Sequence, residues 1–266
     1  MTLGLRAAAV SDVGPYRDVN QDAAFTAWWG AAVADGVGGG PAGDLASATL
    51  LRGLTVGTGR RLDPDDLAGA VRLANGDLRD LVEYDRSLDG MATTVTGLFV
   101  CSTGGLLLAH AGDSRAYRLR DGLLTRETRD DSFVQLLVDS GMLPAADAAS
   151  HPQRNLITAS LRGSEWDVIA LAELDGRAGD RWLLCSDGVS DYLDDDTIQI
   201  ALGAGDMLVA AAEIVRLALA SGSRDNVTAV VCDVVSAGDV AEHREPVFSG
   251  AAAGTVGEEL DGPQSD

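Results

Sequence analysis

Four aspartates of this chain stand at the edges of apolar, strand-like runs. Asp35 follows the run 31–34 in "VADGVGGGPAG". Asp187 follows the run 182–185 in "RWLLCSDGVSDYL", with Asp191 four residues on. Asp225 and Asn226 precede an apolar run in "SRDNVTAVV", and Asp113 interrupts two such runs in "LLLAHAGDSRAYRL". A carboxylate beside a buried strand is costly unless it finds a partner. One alone reads as a turn residue or a cap. Four in succession, two of them Asp-Gly, point to a hard cation. Carboxylates and a peptide carbonyl supply the oxygen ligands, and glycine lets the backbone come close.

Two other chemistries compete for the same motifs. Gly38, Gly40 and Gly43 match the dinucleotide fingerprint G-x-G-x-x-G. Asp35 would then repel the pyrophosphate, and the following "GLTVGTGRRLDPDD" offers no buried strand ending in a ribose-binding acid. "GDSRA" (112–116) nearly matches the serine-hydrolase elbow. That elbow joins a strand to a helix, whereas here "AYRLR" continues as strand, so Ser114 is structural. All 20 basic residues are arginine. The absence of lysine excludes a Walker phosphate loop, a protein-kinase site and Schiff-base catalysis. Three histidines and three scattered cysteines offer no zinc motif.

The formal net charge of −21 repels nucleic acid and anionic membrane. It still permits a phosphorylated ligand where a cation is bound. The 46% hydrophobic content can fill a core. No apolar run is long enough to span a membrane, and the N-terminus lacks a signal-peptide core, so a cytoplasmic location is expected.

The elements that must position the acids follow from periodicity. Strands are expected near 5–11, 23–28, 30–35, 93–101, 105–112, 115–119, 166–173, 181–186 and 227–235. Helices fit 42–56, 65–83, 195–203 and 206–220. Asp121-Gly122 marks a hairpin turn. Residues 125–163, with a short helix near 132–140, read as an insertion over the sheets. Strand runs broken by pairs of helices imply an α+β fold with antiparallel sheets. The main domain is expected over 1–236, and 237–266 as an acidic disordered tail.

The ordered set "SDVGPYRDVNQD", "VADGVGGG", "GMATTV", "AGDSRAYRL", "LLCSDGVSDYL" and "SRDNVTAVV" resembles the bacterial branch of the metal-dependent protein phosphatases of the 2C type. The resemblance covers roughly residues 3–235. It implies a four-layer sandwich of two antiparallel sheets flanked by pairs of α-helices, with two Mn²⁺ or Mg²⁺ ions at one end. By that match Asp35 bridges both ions, Gly36 lends its carbonyl, and Asp187 and Asp225 complete the first ion's ligands. Asp113 and Asp191 match acids that hold a third, weaker ion. Arg17 matches the arginine that grips the substrate phosphate, and Gln21, Asp22 and Asn226 support the ligands from behind. The implied reaction is hydrolysis of phosphoserine or phosphothreonine in proteins. Two cations about 3.5–4 Å apart neutralise the phosphate and acidify a bridging water, whose hydroxide attacks in line. The implied partners are phosphoproteins made by a Ser/Thr kinase, and the chain is expected to act as a monomer.

Some positions depart from the family pattern. Gln21 stands where relatives carry glutamate, which lowers the site's negative charge and predicts weaker binding of the second ion. Val37 stands where some relatives have a histidine proposed to protonate the leaving group. "DDS" (130–132) stands where relatives often show Asp-His-Ser. His151 reads as an insertion residue, and Thr93 and Thr94 match a Gly-x-Thr-Thr element near the site. Gln21 and Val37 support an alternative reading: a degenerate module that binds phosphoproteins without turnover.

Overall fold

The computed structural model describes residues 2–37, 42–56, 61–241 and 244–253. Gly38 and Gly40 of the glycine loop, and the segment from residue 254 onward, lie outside the described residues. The strands are β1 (Leu3–Asp12), β2 (Asp22–Thr26), β3 (Gly30–Asp35), β4 (Val95–Val100), β5 (Leu106–Ala111), β6 (Arg115–Arg120), β7 (Leu123–Arg126), β8 (Ala170–Leu174), β9 (Arg181–Cys185), β10 (Val227–Ser236) and β11 (Val247–Gly250). They form a five-stranded sheet, β1-β10-β9-β6-β7, and a six-stranded sheet, β11-β2-β3-β4-β5-β8. Every pairing between them is antiparallel.

The central strands read as continuous apolar runs because both of their faces are buried. In β10, Val230, Cys232 and Val234 point between the sheets, where they meet Val33, Leu98 and Trp182. The alternate residues Val227, Ala229 and Val231 pack under helices α5 (Asp195–Leu202) and α6 (Met207–Ala220). In β3, Ala31 and Val33 face the inter-sheet core. Ala32 and Ala34 face α1 (Gly43–Thr55) and α2 (Pro64–Tyr84). The result is the expected α+β sandwich of four layers.

Local chemistry sets the element ends. Asp63 caps α2 by accepting from the Asp66 N–H at 2.7 Å, with Pro64 in the first turn. Asp121 and Gly122 both take positive φ (52° and 79°), as the two-residue hairpin between β6 and β7 requires. The strand expected from 166 begins only at Ala170. The Asp167 carboxylate accepts from the N–H groups of Arg162 and Ser164 and from the Asn75 amide, and so folds that stretch into a loop on α2. Over the sheets, the insertion contributes α3 (Phe133–Asp139) and a 3₁₀ turn (Ala145–Ser150).

The tail expected from residue 237 needs correction. Within it, β11 pairs with β2 from Val247↔Thr26 to Gly250↔Ala23. The Phe248 ring meets Phe25 at 6.4 Å and lies under the Arg52 guanidinium at 4.8 Å. Ala252 is fully buried, and its carbonyl accepts from Arg52 at 2.6 Å. This strand is too short and too poor in apolar residues to show as a periodic pattern. No helix among the described residues is long and apolar enough to cross a membrane.

Candidate metal centre

The antiparallel order brings the acids to one end of the sandwich. Asp35 ends β3 and pairs in register with Asp22, which starts β2. Asp187 follows β9 and opens the four-residue helix α4 (Asp187–Ser190). Asp225 lies just before β10, the neighbour of β9, and Asp113 lies in the connection from β5 to β6. A cavity of about 230 Å³ opens there, lined by Arg17, Gln21, Asp35, Gly36, Val37, Asp113, Asn155, Ile157, Asp187 and Asp225.

The backbone around these acids is fixed from several sides. The Thr93 hydroxyl and the Thr94 N–H both donate to the Asp35 carbonyl, at 3.0 and 2.8 Å. The Thr94 hydroxyl accepts from the Asp35 N–H at 3.0 Å. Gly36 has no room for a side chain, since a Cβ would stand 2.3 Å from the Gly43 carbonyl oxygen. At Gly188 a Cβ would stand 1.9 Å from the Asn226 carbonyl oxygen. The two Asp-Gly pairs are therefore steric requirements of close backbone approach. Asn226 ties the remaining pieces together. Its Oδ1 accepts from the Gln21 N–H, and its Nδ2 donates to the carbonyls of Val13 and Val19.

Crowded burial sets the electrostatics. Burial first, and then the carboxylates of Asp22, Asp187, Asp113 and Asp225, hold the Asp35 carboxyl well above the usual carboxylate range. Burial, with Asp113, Asp225 and Asp191 nearby, does the same to Asp187. Burial pushes Asp113 up to about 7, with help from Asp130 and Asp191. Asp22 rises to about 6 through burial, against the opposing hydrogen bond from Ser186. Four mutually repelling acids share one pocket, and Arg17 answers only one of them: its Nη2 meets Asp225 Oδ2 at 2.7 Å.

The donor set fits a hard divalent cation. Asp187 Oδ1 and Asp22 Oδ1 are buried without a hydrogen-bond partner. A native fold rarely leaves such atoms unsatisfied unless an ion or water serves them. Among the described residues, no three acids, histidines or cysteines are gathered tightly enough to hold an ion as they stand. Repulsion between the carboxylates opposes that gathering, and a cation would remove it.

Of the residues expected at the site, Arg17, Gln21, Asp35, Gly36, Asp113, Asp187 and Asp225 line the cavity. Asp22 and Asn226 stand behind it: Asp22 Oδ2 accepts from the Ser186 hydroxyl at 2.7 Å. Asp191 lies outside this cavity, in a neighbouring one of about 310 Å³ that shares Asp113, with Arg154 Nε 3.7 Å from its carboxylate. His151 does not line the cavity; it packs against Phe133. Ser114 is fully buried and bonded to Thr94, in keeping with a structural role. Sequence reasoning missed Asn155 and Ile157, which the irregular insertion brings to the cavity wall without any periodic signal. It also missed Ser186, whose one clue was a polar residue between a buried strand and Asp187.

No family model matches the chain. Individual proteins do. The chain is 43% identical over 262 residues to the serine/threonine protein phosphatase PstP of Mycobacterium tuberculosis, covering 96% of this chain and 49% of that protein. It thus spans about half the length of that curated relative. It is 33% identical to a 2C-type protein phosphatase of Streptococcus pyogenes, covering 74% of this chain and 82% of that one. A crystal structure of the PstP catalytic domain in complex with two manganese ions superposes with a TM-score of 0.79 at 42% identity, over 88% of this chain and 100% of that one. With the sandwich, the acids at its end and these relatives together, the chain belongs to the 2C-type family of protein phosphatases.

Proposed function

We propose that this protein is a metal-dependent phosphatase that hydrolyses phosphoserine and phosphothreonine in proteins. The observation that carries the reading is the cavity where Asp35, Asp187 and Asp225 meet Arg17, with a buried Asp187 oxygen left unpartnered. Asp35 would bridge two Mn²⁺ or Mg²⁺ ions with the Gly36 carbonyl beside it, and Asp187 and Asp225 would complete the first ion's ligands. Asp113 and Asp191 would hold a third, weaker ion. Bound there, the dications supply the positive charge that lets water attack a phosphate dianion.

The chain's own groups do the rest. Arg17 keeps 39% of its side chain exposed, so its planar fork is open to phosphate oxygens as well as to Asp225. Thr93 and Thr94 hold the Asp35 peptide still while the charge around it changes. Asn155 and Ile157 form the cavity wall on the insertion side. Val37 lines the cavity but offers no titratable group, so the proton for the leaving alkoxide comes from water or from another group of the site. The reading extends to a monomer that works in the cytoplasm, in phosphorylation signalling, on proteins modified by a Ser/Thr kinase. The three free, buried cysteines suit a reducing compartment.

The test is turnover of p-nitrophenyl phosphate and of a phosphothreonine peptide, with and without millimolar Mn²⁺. Metal-dependent turnover is expected. Asp35→Asn and Asp187→Asn should each lose at least about 100-fold, more than supporting residues of metal sites cost, with circular dichroism unchanged. Folded protein that binds the peptide without hydrolysing it would instead establish the degenerate module. Near-normal Mn²⁺-dependent activity in either variant would overturn the ligand assignment.

A further inference from the structure

The loop from Asp12 to Gln21 is tied down at Val13, Gly14, Arg17, Val19 and Asn20. The Gly14 N–H donates to Asp12 Oδ1 at 2.8 Å. Gly14 has φ 72°, and a Cβ there would stand 2.4 Å from the Asp225 carbonyl oxygen. The Asn226 amide holds the carbonyls of Val13 and Val19, and Asn20 donates to the Ser11 hydroxyl. Arg17 is paired with Asp225.

On this braced loop, Tyr16 is 64% exposed. Its ring lies 5.8 Å from the Arg224 guanidinium carbon. The main chain at Arg224 is tied by its backbone N–H, which donates to the Tyr192 hydroxyl at 3.1 Å. Tyr16 and Arg224 immediately precede Arg17 and Asp225, both of which line the catalytic cavity. An aromatic ring on a rigid loop, backed by a cation, is the kind of group that binds a partner at low entropic cost. On a chain of net charge −21, an apolar contact is also an attraction that the surface charge does not oppose.

We propose that the Tyr16–Arg224 pair is a specificity platform. It receives an apolar or aromatic side chain flanking the phosphorylated residue of a polypeptide substrate. The inference rests on the phosphatase reading: a phosphate seated by Arg17 brings the adjoining residues of its peptide over Tyr16. The platform touches those flanking residues and none of the reacting atoms. It therefore sets binding of the peptide and leaves the chemical step alone.

The experiment compares p-nitrophenyl phosphate with two phosphothreonine peptides that differ only in a flanking leucine or glycine. Both flanks are tested in turn, on the intact chain with Mn²⁺. The wild type should prefer one leucine peptide through KM. Tyr16→Ala should raise KM for that peptide about three- to tenfold, the scale of an aromatic contact, and abolish the preference. Tyr16→Phe should retain it, and p-nitrophenyl phosphate kinetics should be unchanged in both variants. If p-nitrophenyl phosphate turns over and the preference is absent, or survives Tyr16→Ala, the platform is refuted and the phosphatase reading stands. If the wild type turns over neither substrate, both fall together.

Discussion

At the residue scale, the Asn226 amide spans the loop that carries Arg17 and the start of the strand that carries Asp22. It accepts one N–H and donates to two carbonyls. Asn226→Ala removes three part-buried hydrogen bonds, and an ordinary intramolecular hydrogen bond contributes about 0.5–1.5 kcal/mol net. Denaturant unfolding should show a loss of at least that size, and kcat/KM should fall with it as Arg17 loses its brace. Gln21 makes a different contribution. Its side chain lines the cavity, and its main-chain carbonyl accepts from the Ser47 hydroxyl at 2.6 Å and from the Gly36 N–H. Those backbone bonds survive a change of side chain, so Gln21→Glu alters charge without altering the frame. Calorimetric Mn²⁺ titration should show tighter binding of the second ion in the variant. Equal affinities would mean that the amide is no handicap.

At the element scale, β11 closes the edge of the six-stranded sheet beside β2, the strand that Asp22 begins. Gly250, at φ 63°, sits so close that a Cβ would stand 2.2 Å from the Asp22 carbonyl oxygen. Truncation before residue 244 would remove Phe248 and Ala252 and expose Phe25 and part of α1. Fully burying an aromatic is worth about 1.5–3 kcal/mol and Phe248 is partly buried, so its loss costs part of that and the truncated chain should unfold at lower denaturant. An unchanged midpoint would show that β11 adds nothing to the fold. Such a strand marks the limit of what the sequence disclosed. The acids were legible because each borders a strand buried on both faces, and such strands announce themselves as unbroken apolar runs. The main helices were legible from their period. Asn155, Ile157 and β11 were not, because an irregular insertion and a four-residue edge strand depend on tertiary partners and leave no period to read.

At the scale of the whole molecule, a site of crowded acids sits inside a chain of net charge −21. In the metal-free protein Asp22 is raised from 3.8 to about 6 and Asp113 to about 7, with Asp35 and Asp187 also held high, in each case chiefly by burial. Raised carboxylates bind protons more tightly in the folded than in the unfolded chain. Their stabilising contribution is complete below the unfolded value of 3.8 and is lost as the pH climbs through 6 and 7. The metal-free Tm should therefore fall from about pH 5 to about pH 8. Mn²⁺ acts in the opposite sense, because it binds the deprotonated acids and stabilises the fold by mass action. The gap between Mn²⁺-loaded and EDTA-treated melting curves should widen across the same interval. Repulsion over the whole surface also grows with pH, but about 1 M salt shortens its reach to about 3 Å and leaves buried pairs largely unscreened. A gap that still widens at high salt locates the effect in the cavity. One that is flat with pH would mean that these carboxylates do not bind the ions.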